Sequence, residues 1–257
     1  MFYEIIPNKF APKRADKAPS MQTNSHSICY GKCNCNCIFC DFKKRPISAY
    51  NSYDNASFEK AIDELLLKGN NFKFTGGEPT LNPQLEEHLK IVKLKGGYIY
   101  LDSNGSNPEK LETLMKQQLI DVLGISLKGV SKEEALQISN IKNQNLIWEN
   151  VWDTLNRANK YSEKMRTIVT LVFTKENREG RLKKFAELLK GYPGAYMKIN
   201  NLQRDDHPEE LNIHSIDVDS LYIEIEEFVK NNPEWKNRVI YVPGADGVSN
   251  YDSIEFF

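Results

Sequence analysis

The chain has 257 residues, of which 40% are hydrophobic, and its 34 Lys and Arg residues nearly balance its 35 Asp and Glu residues. This length predicts a single domain over residues 1–257 with a sizeable core, and the balanced charge indicates no nucleic-acid or anionic-membrane partner. No stretch is apolar enough to span a bilayer, and the N-terminal residues lack the apolar run of a signal peptide. We therefore expect a cytoplasmic protein.

Strand and helix signals alternate along the chain without an internal repeat. Strands are recognised by short apolar runs, and helices by apolar residues at helical spacing between a polar N-cap such as Ser57 and a closing glycine such as Gly69. In chain order the predicted elements are strand 27–30, helix 57–69, strand 71–75, helix 82–97, strand 98–102, helix 107–118, strand 120–127, helix 147–158, strand 167–173, helix 181–191, strand 195–200, helix 221–230 and strand 238–242.

Repeated strand-then-helix units favour parallel strands joined by right-handed crossovers. The predicted fold class is therefore α/β, a partial (βα)6 TIM-type barrel with parallel strands. Residues 25–200 form its core in this interpretation, and residues 201–257 are a C-terminal extension that completes the barrel.

Four unusual motifs each follow a predicted strand. They are the cysteine-rich loop after residues 27–30, TGGEP after the second strand, DSNGS after the third and SLKG at the end of the fourth. Parallel α/β folds build their sites at the carboxyl ends of strands, so these motifs should meet at one rim.

All five cysteines lie between positions 29 and 40. A C-x3-C-x2-C register starting at Cys29 would need a cysteine at position 36, which is Asn36, whereas Cys33, Cys37 and Cys40 satisfy the full pattern. Three thiolates can hold three corners of a [4Fe–4S] cluster and leave one iron open. The alternative is a four-sulfur zinc site that also uses Cys35. In the cluster interpretation, Cys35 points away from the other thiols and both Cys29 and Cys35 have packing roles.

The C-x3-C-x-aromatic-C pattern with Phe39, together with Gly76, Gly77, Glu78 and Pro79, resembles the radical SAM superfamily. The resemblance covers roughly residues 25–200. It implies a [4Fe–4S] cluster on Cys33, Cys37 and Cys40 whose open iron chelates S-adenosylmethionine. It also implies an electron donor such as flavodoxin or ferredoxin, and reductive cleavage to a 5′-deoxyadenosyl radical that abstracts hydrogen from a substrate.

We assign Gly76, Gly77, Glu78 and Phe39 to the cofactor site, and Glu78 and Phe39 each also have a simpler explanation. Paired glycines allow backbone groups to approach a ligand, and we assign Gly76 and Gly77 to the cofactor site. Glu78 is assigned there too, although it could be only a carboxylate at the start of a helix. Phe39 would lie near the adenine, or else pack as a core aromatic.

The segments LDSNG and SLKG resemble the rim segments of glycyl-radical-enzyme activases such as pyruvate formate-lyase activating enzyme. The resemblance assigns cofactor contacts to Asp102, Ser103, Asn104, Ser126 and Lys128. Lys128 lies at the carboxyl end of a strand, where its ammonium group should bind an anionic carboxylate. We also assign Lys128 a catalytic role. The chain departs from the activases at Ser126, where a second aspartate is expected, and it lacks their Gly-Pro-Gly element before the cluster loop.

No cysteine follows Cys40, so the chain has no thiols for an auxiliary cluster. The charged segment 204–210 is a candidate substrate lid, and the four histidines show no ligand-like spacing, with His88 expected to be a packing residue. We expect a protein or peptide substrate, with a small metabolite as the alternative. The rival class is a non-catalytic zinc- or cluster-binding protein.

Overall fold

The computed structural model of the protein describes residues 2–10, 25–40, 51–52, 54–141, 143, 145–202, 214–242 and 255–256. Within these ranges, no helix is both long enough and apolar enough to cross a membrane.

The described strands form one continuous sheet of ten strands in the order β10-β9-β8-β7-β6-β5-β4-β2-β1-β3. Strands β2, β4, β5, β6, β7, β8 and β9 run parallel, while β1, β3 and β10 pair antiparallel at the two edges. The bounds are β1 Phe2–Phe10, β2 Ser25–Tyr30, β3 Asn51–Ser52, β4 Asn71–Gly76, β5 Tyr98–Ser103, β6 Val122–Ser126, β7 Arg166–Phe173, β8 Ala195–Asn201, β9 Val239–Val242 and β10 Glu255–Phe256.

Seven α-helices lie between or after these strands in the described part of the chain. Their bounds are α1 Asn55–Leu66, α2 Leu85–Leu94, α3 Pro108–Lys116, α4 Lys132–Ser139, α5 Asn150–Asn159, α6 Arg181–Leu188 and α7 Val218–Asn231. The first helix begins before the predicted cap, because Asp54 is the N-cap and accepts a hydrogen bond from the Ser57 backbone at 2.8 Å. Asn107 caps α3 as expected.

The sheet has apolar residues on both faces. Its outer face packs against the helices in the larger core, which includes Phe74, Leu101 and Phe185. A second cluster on the other face includes Tyr100 of β5, Val122 of β6, Ile168 of β7 and Ile240 of β9. Lys73 of β4 lies close enough to Lys198 of β8 to lower its pKa, although three strands separate β4 from β8. Strands this far apart in the sheet approach each other when the sheet curls, so the predicted parallel α/β partial barrel is confirmed.

Several elements were absent from the sequence prediction. These are the edge strands β1, β3 and β10 and the helix α4. The long helix expected over residues 147–158 is instead divided into a π-helical turn, Asn145–Glu149, and α5. Strands β3 and β10 have two residues each and α4 has eight, so they are too short to show a clear period. Strand β1 contains Pro7, which weakens its strand signal.

Candidate active site

A cavity of about 420 Å³ opens at the carboxyl ends of the parallel strands. Strands β4 to β8 and the loop of residues 31–40 all contribute to it, which brings the four sequence motifs together. Its lining residues include Cys33, Cys35, Asn36, Cys37, Phe39, Cys40, Thr75, Gly76, Gly77, Asp102, Ser103, Asn104, Ser126, Lys128, Thr170, Val172 and Asn200. Of the predicted site residues, Glu78 is the one that does not line it.

Backbone hydrogen bonds fix the cysteine loop against the end of α4. The Asn36 amide donates to the Ser139 carbonyl, and the Ile38 amide donates to the Ile138 carbonyl, both at 2.9 Å. A turn closes where the Cys40 amide reaches the Cys37 carbonyl at 3.2 Å. Helix α4 therefore positions the loop, a role that the sequence did not reveal.

The cysteines differ in their surroundings. Cys33 is exposed, while Cys37 and Cys40 are partly buried at the cavity. Cys29 is buried within β2 and does not line the cavity. Cys35 is buried against Ala135 and Ile147.

The expectation that Cys35 points away from the other thiols is wrong. Cys35 lines the same cavity, and its backbone amide donates to the Cys33 sulfur at 3.4 Å. The loop turns instead of running extended, so alternate residues do not face opposite sides. A hydrogen bond from the Cys35 thiol lowers the pKa of Cys33 to about 7, whereas the same contact, a contact with Cys37 and burial raise the pKa of Cys35.

The thiols suit a cluster in their chemistry. Soft thiolates are the ligands that hold iron–sulfur clusters, and three of them on one loop share this cavity. Among the described residues, no three His, Cys, Asp or Glu side chains converge so as to hold a single metal ion. A [4Fe–4S] cluster does not require that convergence, since its three thiolates bind three different irons.

The paired glycines are required by the protein backbone itself. A Cβ on Gly76, whose φ is +107°, would lie 2.4 Å from the Tyr30 carbonyl oxygen, and one on Gly77 would lie 2.1 Å from the Lys32 carbonyl oxygen. The Gly77 amide donates to Tyr30 and the Glu78 amide to Lys32, each at 2.6 Å. The glycines thus let the end of β4 dock on the cysteine loop, in addition to lining the cavity.

Glu78 is fully buried and joins two rim segments. One carboxylate oxygen accepts from the Ser103 hydroxyl at 2.8 Å and the other from the Asn104 amide at 2.7 Å. The side chain also caps the turn at Pro79–Leu81 by accepting from the Thr80 amide. Burial raises the pKa of Glu78, and the bonds from Asn104, Thr80 and Ser103 oppose that rise. These contacts favour the alternative that Glu78 supports the turn and orders the rim.

Asn104 links the rim of β5 to the cysteine loop. Its side-chain amide donates to the Asn34 oxygen at 2.8 Å and to the Cys35 sulfur at 3.2 Å. Asn34 in turn donates to the Ser106 hydroxyl at 2.8 Å. The SNGS segment therefore helps to hold the cysteine loop in place.

Lys128 lies at the cavity edge, facing the cysteines. Burial would lower the pKa of Lys128, but the nearby thiols, Cys37 foremost, hold it above its ordinary value. Ser126 lines the cavity two residues earlier. The ammonium group is thus placed where an anionic ligand of the cavity would be stabilised.

Asp102 is paired with a lysine that the sequence analysis missed. The Lys73 ammonium lies 2.9 Å from the Asp102 carboxylate. Burial would raise the pKa of Asp102, but Lys73 and Lys198 lower it below its ordinary range. The Lys73 ammonium therefore already balances the negative charge of the Asp102 carboxylate.

Thr75, Thr170, Val172 and Asn200 were also missed, although all line the cavity. Alternation along β7 and β8 was the available signal for Thr170, Val172 and Asn200, but the sequence analysis identified these segments only as strands. The candidate lid, residues 204–210, lies outside the described residues.

Comparison with known proteins identifies the family of the chain and agrees with its fold. The family model described as the Radical SAM superfamily matches residues 27–189. A Methanocaldococcus jannaschii protein named as a candidate glycyl-radical enzyme activating enzyme is 24% identical over 196 residues, which cover 71% of each chain. An S-adenosylmethionine-dependent nucleotide dehydratase of a Thermoplasmatales archaeon is 26% identical over 148 residues, covering 56% of this chain and 50% of the relative.

Solved structures agree in fold. Streptococcus suis SuiB, in a structure bound to precursor peptide SuiA, superposes with a TM-score of 0.60 at 14% identity, covering 84% of this chain and 47% of SuiB. The family model covers more than half of the chain and includes the cysteine loop and the glycine pair. A non-catalytic role for the chain is therefore not supported. The protein belongs to the radical SAM superfamily and is an S-adenosylmethionine-dependent enzyme whose cofactors are a [4Fe–4S] cluster and S-adenosylmethionine.

Proposed function

We propose that this enzyme abstracts hydrogen from a protein or peptide substrate. When bound, the cluster and S-adenosylmethionine supply a 5′-deoxyadenosyl radical. Cys33, Cys37 and Cys40 are the proposed cluster ligands, because they match the family spacing and line one cavity. The loop of residues 31–40 presents their thiolates, and its bonds to α4 keep it in position.

The remaining rim residues orient S-adenosylmethionine in this proposal. Lys128 binds the methionyl carboxylate, since its ammonium faces the cysteine loop. Gly76, Gly77 and Ser126 offer close backbone and hydroxyl contacts, and Phe39 packs on the adenine. Asp102, Ser103 and Asn104, at the end of β5, are also proposed to contact S-adenosylmethionine. Glu78 holds Ser103 and Asn104 in place by hydrogen bonds.

The substrate class is supported by the relatives. The Methanocaldococcus relative is named for activating a glycyl-radical enzyme, so its named target is a protein. SuiB was solved with a precursor peptide. The observation that carries the chemistry is the single cavity shared by the three cysteines and Lys128.

A small-molecule substrate is the second candidate. The interior of the barrel below the cavity holds charged side chains, Lys73 and Lys198 beside Asp102. Such groups suit a compact polar ligand that fits within the barrel. The nucleotide dehydratase relative is named for small-molecule chemistry.

The chemistry is tested with anaerobically reconstituted, reduced enzyme. We expect 5′-deoxyadenosine and methionine to form slowly in equal amounts from S-adenosylmethionine without substrate. S-adenosylhomocysteine as the main product would contradict hydrogen abstraction and indicate methyl transfer.

The substrate class is tested by deuterium transfer into 5′-deoxyadenosine. Candidate proteins and peptides labelled with α-deuterated glycine are compared with deuterated small metabolites under the same conditions. Transfer from a protein or peptide supports the proposal. Transfer from a small metabolite alone would overturn it in favour of the second candidate.

A further inference from the structure

Three charged side chains lie inside the barrel, and we name them the interior charge cluster: Lys73 on β4, Asp102 on β5 and Lys198 on β8. Asp102 lines the cavity, and the two lysines lie close to it. The Lys73 ammonium pairs with Asp102 at 2.9 Å and lies 5.0 Å from the centre of the Tyr100 ring. The side chains of Lys73 and Asp102 are only 15% and 22% exposed. The cluster is therefore largely shielded from bulk water.

Lys198 faces the barrel interior. It is in register with Thr170 of β7, which lines the cavity, and with Ile240 of β9, which belongs to the interior apolar cluster. Side chains two residues apart share a face of a strand, so Lys198 and the cavity-lining Asn200 point the same way. Within the part of the chain that the structure describes, the Lys198 ammonium has neither an ion pair nor a hydrogen bond.

Two buried polar atoms beside the cluster also lack partners among the described residues. They are the hydroxyl of Tyr100, a residue that is 8% exposed, and the side-chain oxygen of Asn200. Tyr100 can donate a hydrogen bond, and the Asn200 oxygen can accept one. Buried polar groups in native proteins are normally satisfied, so the unpaired Asn200 oxygen, whose residue lines the cavity, points to a ligand.

The charges define which ligand fits. Asp102 is already paired with the Lys73 ammonium, so the Lys198 ammonium favours binding of one negative charge. A carboxylate carries that single charge, whereas a phosphate dianion would leave an uncompensated negative charge. The Asn200 side-chain oxygen can accept a hydrogen bond, so the ligand should also carry a hydrogen-bond donor close to its anionic group, such as an amide N–H.

We propose that the interior charge cluster binds a carboxylate of the substrate through the Lys198 ammonium, with Asn200 accepting a hydrogen bond from a neighbouring substrate N–H. This inference rests on the proposed function, because it assigns the cluster to the substrate of that reaction. It names the substrate class as an acylated amino acid, either free or at the carboxyl terminus of a peptide. The methionyl carboxylate is left to Lys128, which faces the cysteines on the other side of the cavity.

The test measures binding to the reconstituted holoenzyme with S-adenosylmethionine present, by ligand-observed NMR. The probes are N-acetylglycine and its neutral counterpart N-acetylglycinamide. We expect the acid to bind at least about tenfold more tightly than the amide, as loss of a charge-assisted hydrogen bond implies. Equal affinity of the two probes in the wild-type protein would overturn the proposal without any variant.

Substitutions assign the effect to Lys198. Lys198→Met should lower the affinity for N-acetylglycine at least about tenfold, and Lys198→Arg should restore part of it. Lys190→Met, at a lysine whose side chain is 78% exposed, should change nothing. Wild-type affinity for N-acetylglycine in Lys198→Met would overturn the assignment. A parallel loss of S-adenosylmethionine affinity would also overturn it, because Lys198 would then bind the cosubstrate.

The pH dependence gives an independent readout. Burial and Lys73 lower the pKa of Lys198 to about 8, and Asp102 opposes them. The titratable groups that face the Lys198 ammonium are Lys73, Tyr100 and Asp102. Its partners on the adjacent strands, Thr170 and Ile240, have no titratable side chain. Binding needs the protonated ammonium, so affinity for N-acetylglycine should be level below about pH 8 and fall above it, and a level profile across this range would contradict the role of Lys198.

The same probes separate the two sources of the carboxylate. Tighter binding of N-acetyl-triglycine than of N-acetylglycine would indicate a peptide terminus, in agreement with the proposed function. The reverse would indicate a free acylated amino acid and would favour the small-molecule candidate. Both results support the cluster as a carboxylate site. Probe binding does not require a reduced cluster. Normal formation of 5′-deoxyadenosine without acid-selective binding would therefore overturn this inference alone, whereas acid-selective binding without 5′-deoxyadenosine would overturn the proposed chemistry alone.

Discussion

At the scale of single residues, the five cysteines do different things in one short segment. Cys29 is a core residue of β2, and Cys35 packs on Ala135 and Ile147 although it also borders the cavity. Cys33 is the exposed member of the group. Cys35 also helps to hold the loop, because the Asn104 side-chain amide donates a hydrogen bond to its sulfur.

We predict that Cys33→Ala, Cys37→Ala and Cys40→Ala each lose most of their iron and sulfide after reconstitution, because few side chains can replace a thiolate on iron. Cys29→Ala and Cys35→Ala should keep near-wild-type contents and cleave S-adenosylmethionine. Iron and sulfide analysis and the visible absorption spectrum measure this. A Cys35→Ala protein without a cluster, beside a Cys33→Ala protein that retains one, would show that the register is wrong.

At the scale of secondary-structure elements, a buried histidine joins α2 to the sheet. His88 is fully buried, stacks on Phe58 of α1 with ring centres 4.2 Å apart, and hydrogen-bonds the Tyr30 hydroxyl of β2 at 2.8 Å. It packs in the core and does not line the cavity, as its lack of ligand-like spacing suggested. Burial lowers the pKa of His88 to about 4.

The lowered pKa predicts acid sensitivity. Between about pH 6.5 and 4 the unfolded chain binds a proton at this position and the folded chain does not, so stability is lost as pH falls through this window. His88 should account for roughly 2 kcal/mol of lost unfolding free energy between about pH 7.5 and pH 5. Urea unfolding of the anaerobic protein at both pH values measures it, and His88→Gln should remove that part of the difference.

Tyr30→Phe is the matched control. It removes the hydrogen bond from the Tyr30 hydroxyl but keeps the titrating ring, so it should lower stability at both pH values and preserve the difference between them. If His88→Gln kept the full wild-type difference, burial of His88 would not be its cause.

At the scale of the whole molecule, the cysteine loop is attached to a fold that has its own core. The helices pack on the outer face of the sheet through a large apolar cluster. The loop is held by two backbone bonds to the end of α4 and by side-chain bonds around Asn104. Cluster binding and global folding should therefore be largely separable.

We predict that removing iron with a chelator leaves the parallel sheet folded and loosens mainly residues 31–40. Amide hydrogen exchange of the reconstituted and iron-free proteins should differ by about tenfold or more in that loop, and by much less in β4 to β8. Loss of protection throughout the sheet would instead mean that the cluster is required for the fold.

Local patterns in the sequence were sufficient to predict the α/β fold, the parallel strands of the core and the resemblance to the radical SAM family. The spacing of Cys33, Cys37 and Cys40 and the GGEP segment are short-range signals, so both can be recognised in the sequence without knowledge of tertiary contacts. Strand and helix periodicity are equally local, because each follows from the geometry of a single element.

Tertiary structure decided what depends on distant segments. Glu78 bonds to Ser103 and Asn104 because the ends of β4 and β5 are adjacent. Lys73 approaches Asp102 from the adjacent strand β4, whereas Lys198 on β8 approaches it only because the sheet curls. The register turns all three side chains inward. A one-residue change in register would turn each of them to the opposite face, and no local spacing encodes that choice.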